Sequence, residues 1–400
     1  MSAAVEAGGP GGLTLGDVVR AALPHFTQSH RLPVHHAKVL RAIAACRTSA
    51  LGGHQYTCTD CGCDVFVPHS CRNRHCPTCQ GINGAQWLEK QVGELLPIPY
   101  FHLVFTLPHE LNPLIAYNQP ELYNLLFASA SQTLLQFGRQ NLGAEIGITA
   151  VLHTWGQTLG DHYHLHCVVT GGGMALDGTA WVPRSPHYLF PVRALSVVFR
   201  AKFCAGLQAL FEAQQLKFPA TAPHFSEPAL FARCLRRCRR HKWRVYAKRP
   251  FAGPQAVLAY LCRYTHRVGI TNHRIEGLDL VHQTVTFRYK DYAHESRPRS
   301  MTLSLDEFLR RFCLHILPPR FVKIRYYGLH ANRGRSARLA KARDLLAEIA
   351  PAPQMAEVAN LSVKHVEPSP LVCPRCGRPT LVLVRIVHPP KPPFPISDTS

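Results

Sequence analysis

Apolar residues that alternate with polar ones predict two β-strands near the middle of the chain, over residues 147–155 and 163–170. Gly156 and Gly160 lie between these segments and permit a turn. We therefore expect the two strands to pair as antiparallel neighbours. A third strand is predicted over 100–107, where β-forming residues run up to Pro108.

Helices are predicted before, between and after these strands. Apolar residues at helical spacing predict helices over 17–47, 120–142, 192–216, 255–264 and 304–316, with Pro24 and Pro33 interrupting the first. Further strands are predicted over 245–247, 267–275 and 280–290, and a hairpin over 174–182 with its turn at Asp177-Gly178.

Three histidines alternate in the second central strand. In a β-strand every second side chain points to the same face, so His162, His164 and His166 share one face. If the two strands pair, His153 of the first strand supplies a third imidazole, and His162 is the rival for that position. Such a group can bind one divalent cation, whereas the alternative is a strand with solvent-facing histidines.

The fifteen cysteines include two Cys-x-x-Cys pairs close together, Cys58/Cys61 and Cys76/Cys79. Each pair places two thiolates on one side of a tight turn, so the two pairs predict one tetrahedral Zn²⁺ site. Cys63, Cys71, His54 and His75 are surplus, either a second site or spares. A further pair, Cys373/Cys376, lacks an obvious partner pair. The chain shows no secretion signal, which favours metal-bound thiolates in a reducing cytoplasm over disulfides.

A formal net charge of +21 indicates a polyanionic partner, for which nucleic acid is the best candidate. Two runs without acidic residues, 233–244 and 320–343, are the expected phosphate contacts, although a charge run is often only a solvated face. The residues that we expect to contact DNA are Arg236, Arg237, Arg239, Arg240, Lys242, Arg325, Arg333 and Arg335. No apolar run long enough for a membrane span is evident, so no membrane partner is expected.

Tyr260 and Tyr264 are four residues apart in the predicted helix 255–264 and therefore share one helical face. Such a pair is usually a core aromatic stripe. Beside a bound metal and a basic surface, it suggests phosphoryl transfer, in which a tyrosine attacks a DNA phosphate. The chain has no P-loop signature, which argues against an NTPase or helicase.

Five motifs in fixed order resemble one family, the two-tyrosine HUH transposases of rolling-circle insertion sequences (the ninety-one family and the related common-region elements). The motifs begin at Cys71, Phe101, His153, His162 and Tyr260, and a segment from Arg325 to Asn332 is similar to the part that follows the catalytic domain. The resemblance extends over roughly residues 17–345. One departure is Tyr163, which stands where we expect a proline.

The resemblance implies an α+β fold, with an HUH-type central antiparallel sheet flanked by helices and preceded by a helical segment and a small zinc-binding lobe. His164 and His166 match the family's metal pair, with Mg²⁺ or Mn²⁺ as the catalytic ion and Zn²⁺ as the structural one. Tyr260 and Tyr264 match its nucleophile pair. Family members nick one DNA strand, form a 5′-phosphotyrosine, and move single-stranded DNA between element ends and target.

The corresponding domain boundaries follow from composition and motif order. We expect a disordered start at 1–16, a helical and zinc-binding DNA-recognition domain at 17–95, and a catalytic domain at 96–300. A basic helical extension at 301–345 and a Pro-rich tail at 346–400 complete the prediction.

Three other functions fit parts of the sequence. An HUH replication initiator or relaxase shares the chemistry and differs in its partners. A zinc-dependent DNA-binding protein without catalysis explains the charge and the cysteines and leaves the histidines and tyrosines without a role. A tyrosine recombinase cleaves DNA without a metal ion.

Overall fold

In the computed structural model, the chain forms two compact units, each built from segments that are distant in sequence. The cysteine unit comprises Met1–Asn83, Ile270–Ile316 and Lys364–Ser400, and the histidine unit comprises Gly84–Gly269 and Leu317–Val363. The structure describes residues 12–80, 91, 93–185, 189–218, 225–248, 257, 269–292, 294–349 and 371–389. This division differs from the consecutive domains that the sequence suggested, because 270–316 and the C-terminal segment join the N-terminal lobe.

The described residues form helices and strands of a mixed α+β protein with antiparallel sheets, as predicted. The helices are α1 (Leu15–Ser29), α2 (Val34–Ala45), α3 (Asn112–Tyr117), α4 (Gln119–Phe137), α5 (Val192–Glu212), α6 (Pro228–Arg240), α7 (Leu305–Leu314) and α8 (Arg335–Ala347). The strands are β1 (Gly53–Cys58), β2 (Asp64–Pro68), β3 (Tyr100–Thr106), β4 (Ala144–Trp155), β5 (Asp161–Ala175), β6 (Trp181–Pro183), β7 (Val245–Lys248), β8 (Ile275–Asp279), β9 (Thr284–Asp291), β10 (Arg297–Ser304), β11 (Ile324–Gly328) and β12 (Leu381–Val387).

Helix α1 starts at Leu15, inside the segment predicted to be disordered. The Thr14 side chain accepts from the backbone N–H of Asp17, and the Asp17 carboxylate accepts from that of Thr14, which is a capping box. The helix also continues through Pro24, where the sequence predicted an interruption. Its apolar face, which includes Val18 and Phe26, is buried, so packing offsets the hydrogen bond that proline removes.

The cysteine unit contains two small antiparallel sheets. One has the strand order β12-β1-β2, so the C-terminal strand pairs with the first strand of the chain. The other has the order β10-β9-β8, and helix α7 packs on it and on α1. The sequence did not predict β10. Most of its side chains are exposed, so it carries no apolar alternation that a sequence pattern would reveal.

The histidine unit is organised around an antiparallel sheet of order β11-β4-β5-β3-β7, with β6 paired to β5. The central pair is β4 and β5, joined by the tight connection 156–160, as predicted. In this pair His153 lies directly opposite His164, and Val151 lies opposite His166. Directly opposed residues share a sheet face, so the register brings these histidines onto one face.

The other face of this sheet is the main hydrophobic core. Phe105 and Leu165 are fully buried there, together with Phe127 of α4 and Phe199 of α5. Among the described residues, helix α5 is the one whose length and apolar composition would suffice to cross a membrane. That is weak evidence, because core helices of soluble proteins pass the same test.

Gly328 is the last residue of the edge strand β11, and a substitution there tests how tightly this strand packs on β4. Its φ is +59°, and a Cβ atom there would overlap the carbonyl oxygen of Ile146 on the neighbouring strand. We expect Gly328→Ala to lower the free energy of unfolding by about 2–5 kcal/mol, from left-handed strain plus overpacking. Urea unfolding of the full chain, followed by tryptophan fluorescence, measures this change.

Gly143 is the matched control. Its φ is +67°, but an added Cβ would meet no atom within 4 Å. Gly143→Ala is therefore expected to cost only the conformational strain, about 1–2 kcal/mol. Equal losses in the two variants would contradict the packing argument at Gly328.

Candidate metal centres

Three histidine side chains converge at the end of the central strand pair. The candidate ligand atoms of His153, His164 and His166 all lie within 4.8 Å of one another. The Nε2 atoms of His164 and His166 are 3.1 Å apart, so both rings aim at the same point. All three residues are nearly buried, with 3%, 8% and 9% exposure. Three converging imidazoles form a donor set that suits a first-row transition-metal ion.

Each of the two histidines of this group on strand β5 also has a partner on its other ring nitrogen. His164 Nδ1 is 2.8 Å from the carbonyl oxygen of His162, so it donates its proton there and leaves Nε2 as the lone-pair donor. His166 Nδ1 is 2.9 Å from Nε2 of His102 on β3, whose ring stacks on that of His166. Such outer contacts fix the tautomer and orientation of metal-binding histidines.

Burial keeps these imidazoles neutral. Desolvation lowers the pKa of His164 to about 3, and it lowers the pKa of His166 well below its ordinary value, with further contributions from the neighbouring histidines. A neutral imidazole is the form that binds a metal ion. These two imidazoles are therefore ready to bind a cation at neutral pH without first losing protons.

His153, and not His162, belongs to the converging group. Its ring stacks on Trp155, with centroids 4.7 Å apart and planes 20° apart, and the Lys323 ammonium lies 5.1 Å from the centre of the Trp155 ring. His162 is on the same strand face, but its ring lies beside His109 at 5.8 Å and outside the converging group.

The cysteines of the other unit form two clusters, and this corrects the predicted grouping. Cys58, Cys61, Cys76 and Cys79 do not converge on one point. The first cysteine cluster consists of Cys46, Cys71, Cys76 and Cys79, and the second consists of Cys58, Cys61, Cys373 and Cys376. The two Cys-x-x-Cys pairs were expected to complete each other. The chain instead supplies each pair with two other thiols. Cys46, directly after α2, and Cys71, after β2, complete the first cluster, and the C-terminal segment completes the second.

Sulfur–sulfur distances in both clusters fit tetrahedral zinc. Cys79 Sγ lies 3.6 Å from Sγ of both Cys46 and Cys71. In the second cluster the Cys58–Cys376 and Cys61–Cys373 distances are also 3.6 Å. A tetrahedron with Zn–S bonds of about 2.3 Å has edges of about 3.8 Å. These contacts are far longer than a disulfide bond, and all eight thiols are free.

Each cluster holds one thiol that ionises readily. A hydrogen bond from the Cys71 thiol lowers the pKa of Cys76 to about 5. A hydrogen bond from the Thr380 hydroxyl, 3.2 Å from the sulfur, lowers the pKa of Cys58 to about 6. Thiolate is the ligand form for zinc, so both clusters favour metal binding.

The predicted DNA-contacting residues divide into two groups. Those around helix α6 and Arg333 are exposed, namely Arg236, Arg237, Arg239, Arg240, Lys242 and Arg333. Helix α6 buries Phe231 and Leu235 in the main core. The helix, with its basic residues, therefore lies on the opposite side of the sheet from the histidines.

Arg325 and Arg335, in contrast, are used inside the histidine unit. Arg325 lies over the ring of Phe127 at 4.2 Å and donates to Asn124. Arg335 is paired with Glu94 at 2.7 Å and its side chain is only 12% exposed. Both positions were predicted from charge alone, which does not distinguish a free cation from one that stacks or pairs within the fold. Both side chains therefore have a role within the fold, and their contact with DNA stays a prediction.

The tyrosine pair, Tyr260 and Tyr264, lies outside the described residues, as does the helix predicted over 255–264 apart from Val257. Val257 is 1% exposed and lines a small cavity with Val168 and Thr149. Val168 follows His166 by two residues on β5 and therefore shares its sheet face.

Sequence reasoning missed several residues of these centres. No sequence pattern links His102 to His166, which lies on another strand. Cys46 stands alone in sequence, and Cys71 was interpreted as surplus. The pair Cys373/Cys376 did carry a signal, because it repeats the spacing of Cys58/Cys61 and is followed likewise by glycine.

Comparison with known proteins assigns these features to one family. Residues 147–337 match the family model described as "Putative transposase", and residues 18–107 match "Transposase zinc-binding domain". The chain is 45% identical over 355 residues to "Putative transposase y4qJ" of Sinorhizobium fredii, covering 87% of this chain and 89% of that protein. No solved structure matches the chain.

A second relative links the chain to insertion sequences. It is 29% identical over 360 residues to the transposase for insertion sequence element IS801 of Pseudomonas savastanoi pv. phaseolicola, covering 88% of this chain and 84% of that protein. The matching zinc-binding domain and the cysteine clusters together support structural zinc. The chain therefore belongs to the IS91 family of insertion-sequence transposases and carries that family's zinc-binding domain.

Proposed function

We propose that this transposase nicks single-stranded DNA at the element ends and transfers it to a target by rolling circle, through metal-assisted attack of Tyr260 or Tyr264 on a backbone phosphate. The observation that carries the proposal is the convergence of His153, His164 and His166, three buried imidazoles, on one point of the sheet.

The proposed reaction conserves the energy of the phosphodiester bond. The phenolic oxygen forms a bond to phosphorus while the bond from phosphorus to the 3′ oxygen breaks, so one strand ends in a free 3′ hydroxyl and the other in a 5′-phosphotyrosine. The phenol loses one proton and the leaving 3′ oxygen gains one. Because the number of phosphate ester bonds is unchanged, a 3′ hydroxyl can later reverse the step on a new strand without ATP.

The residues of the site fit a divalent cation, with His153, His164 and His166 as its ligands. Bound Mg²⁺ or Mn²⁺ would neutralise charge on the scissile phosphate and make the 3′ oxygen a better leaving group. The carbonyl of His162 holds His164 with its Nε2 lone pair directed inward, and His102 holds the ring of His166 in position. The all-nitrogen donor set favours Mn²⁺ over Mg²⁺ in affinity.

The burial of Val257 supports the assignment of the tyrosines. This residue lines a cavity with Val168, on the sheet face that carries the histidines. In a helix, residues at i, i+3 and i+7 lie on the same side. If the helix predicted from the sequence forms, Tyr260 and Tyr264 follow Val257 on that side, three and seven residues later.

A second candidate function is zinc-dependent DNA binding without cleavage. The two cysteine clusters and the exposed basic residues of α6 favour it, since neither needs catalysis. It gives no role to the buried histidine group, and for that reason we rank it below the nicking reaction.

The first prediction from this proposal concerns the nucleophile. With labelled single-stranded DNA from an element end and Mn²⁺, the protein is expected to form an SDS-resistant adduct on a denaturing gel, and EDTA should abolish it. The double variant Tyr260→Phe/Tyr264→Phe should lose the adduct while retaining DNA binding, because phenylalanine has the ring but no attacking oxygen.

Two exposed tyrosines of the histidine unit serve as comparisons in the same assay. Tyr117 is 54% exposed and belongs to helix α3, which packs on the opposite face of the sheet, so Tyr117→Phe should leave the adduct unchanged. Tyr246 is 56% exposed. It lies opposite Val104 of β3, which in turn lies opposite His166 of β5, so Tyr246 is on the same sheet face as the histidines and is the rival nucleophile. Loss of the adduct in Tyr246→Phe alone would refute the assignment to Tyr260 and Tyr264. If the protein binds DNA but forms no adduct with any metal ion, DNA binding without cleavage becomes the better supported function.

The second prediction identifies the third ligand. His153→Ala is expected to weaken Mn²⁺ binding at least about tenfold in calorimetric titration, because one of three donors is removed. His162→Ala should change the affinity little, because its ring lies outside the converging group. The reverse ranking of the two variants would make His162 the ligand.

The third prediction concerns His102, which contacts His166 and is not itself in the ligand group. His102→Leu removes the partner of Nδ1 and should reduce Mn²⁺ affinity by about 10–100-fold. His102→Gln places an amide oxygen near the lost ring nitrogen and should restore part of this affinity. If both variants bind Mn²⁺ as the wild type does, the 2.9 Å contact has no positioning role.

A further inference from the structure

The second cysteine cluster joins the two ends of the chain. Cys58 ends strand β1 and Cys61 follows it, whereas Cys373 and Cys376 are more than 300 residues later and precede β12. The family model for the zinc-binding domain matches residues 18–107 and thus includes only the first two of these thiols.

The two halves of this cluster have the same backbone structure. In each, the thiol pair is followed by a glycine with positive φ, +66° at Gly62 and +72° at Gly377. The N–H of Gly62 donates to the carbonyl of Cys58 at 2.9 Å, and Gly377 donates to Cys373 at 2.8 Å. Two matching turns that face each other with paired sulfurs are the arrangement that four-thiolate zinc sites require.

A second correspondence lies one residue beyond the glycine. Cys58 N–H donates to the carbonyl of Cys63 at 2.9 Å, and Cys373 N–H donates to that of Arg378 at 2.8 Å. Five sequence positions separate donor and acceptor in both turns. The similarity of the halves therefore includes their backbone hydrogen bonds as well as the spacing of the cysteines.

Hydrophobic burial does little to hold β12 in place. Its large apolar side chains remain exposed on both sides of the strand, with 52% exposure for Val382, 46% for Leu383, 60% for Val384 and 51% for Ile386. What holds the strand to β1 is the backbone ladder and a few polar contacts, such as the ion pair between Arg378 and Asp60 at 3.0 Å. Exposed ion pairs of this kind contribute little.

We infer that Cys58, Cys61, Cys373 and Cys376 bind one zinc ion, and that this ion fastens the C-terminal strand to the N-terminal sheet. Together with the first cysteine cluster, the zinc-binding domain then holds two zinc ions, and one of them requires donors from outside the segment that the family model matches. This inference does not depend on the nicking reaction.

Pulsed alkylation of the wild-type chain tests the site without any mutation. The protein, loaded with zinc under reducing conditions, is treated with N-ethylmaleimide, and each cysteine is followed by peptide mass spectrometry. Cys376 is exposed, whereas Cys63 is only half-buried and belongs to neither cluster. Solvent access alone therefore predicts that Cys376 reacts first.

Zinc ligation reverses that order. We expect Cys376 to react at least about tenfold more slowly than Cys63 in the zinc-loaded chain, because a metal-bound thiolate is shielded from the reagent. After chelation, Cys58, Cys61, Cys373 and Cys376 should become reactive together. Faster labelling of Cys376 than of Cys63 in zinc-loaded protein would overturn the inference.

Zinc content provides the independent measurement. Cys373→Ser/Cys376→Ser is expected to bind one zinc ion fewer per chain than the wild type and to lose amide-exchange protection across Leu381–Val387. Cys376→His should keep the zinc, since three cysteines and one histidine form a common structural site. Cys63→Ser is the matched control and should keep both properties. Unchanged zinc content in the double serine variant would also overturn the proposal.

Discussion

The antiparallel register of β4 and β5 is the constraint on which the histidine centre depends. His153 meets His164 only because these two residues are directly opposed, and a shift of one residue would move every side chain of one strand to the opposite face. The main core fixes this register, because Leu152 and Leu165, which are also directly opposed, are fully buried on the other side. Packing on one face of the sheet thus determines the chemistry on the other.

The two units use different means to hold their donors. In the histidine unit, a large core and a continuous sheet position the imidazoles, and the outer contacts from His102 and the His162 carbonyl adjust their orientation. In the cysteine unit the sheets have only three strands each, and strands β12 and β10 are largely exposed. Small sheets of this kind gain much of their stability from bound metal.

Local patterns predicted the central strands, most helices and the histidine group, because these depend on periodicity and on neighbours joined by a short turn. The pairing of Cys58/Cys61 with Cys373/Cys376 depends on which distant segments meet, and the spacing of cysteines contains no such information. The same limit explains Arg325 and Arg335, whose stacking and ion pairing follow from the tertiary fold. The tyrosine pair, recognised by its motif, lies outside the described residues and remains a prediction.

The separation of the second cluster's halves has a consequence for synthesis. Cys61 and Cys373 are 312 positions apart, which corresponds to roughly 15–60 s of translation at ordinary rates. If zinc binds there as proposed, the N-terminal lobe is completed only after the ribosome has passed Cys376, more than 300 residues after Cys61. A product that ends early, through a frameshift or a premature stop, would carry an unfinished lobe. The site would then act as a check that translation has passed the second pair of cysteines.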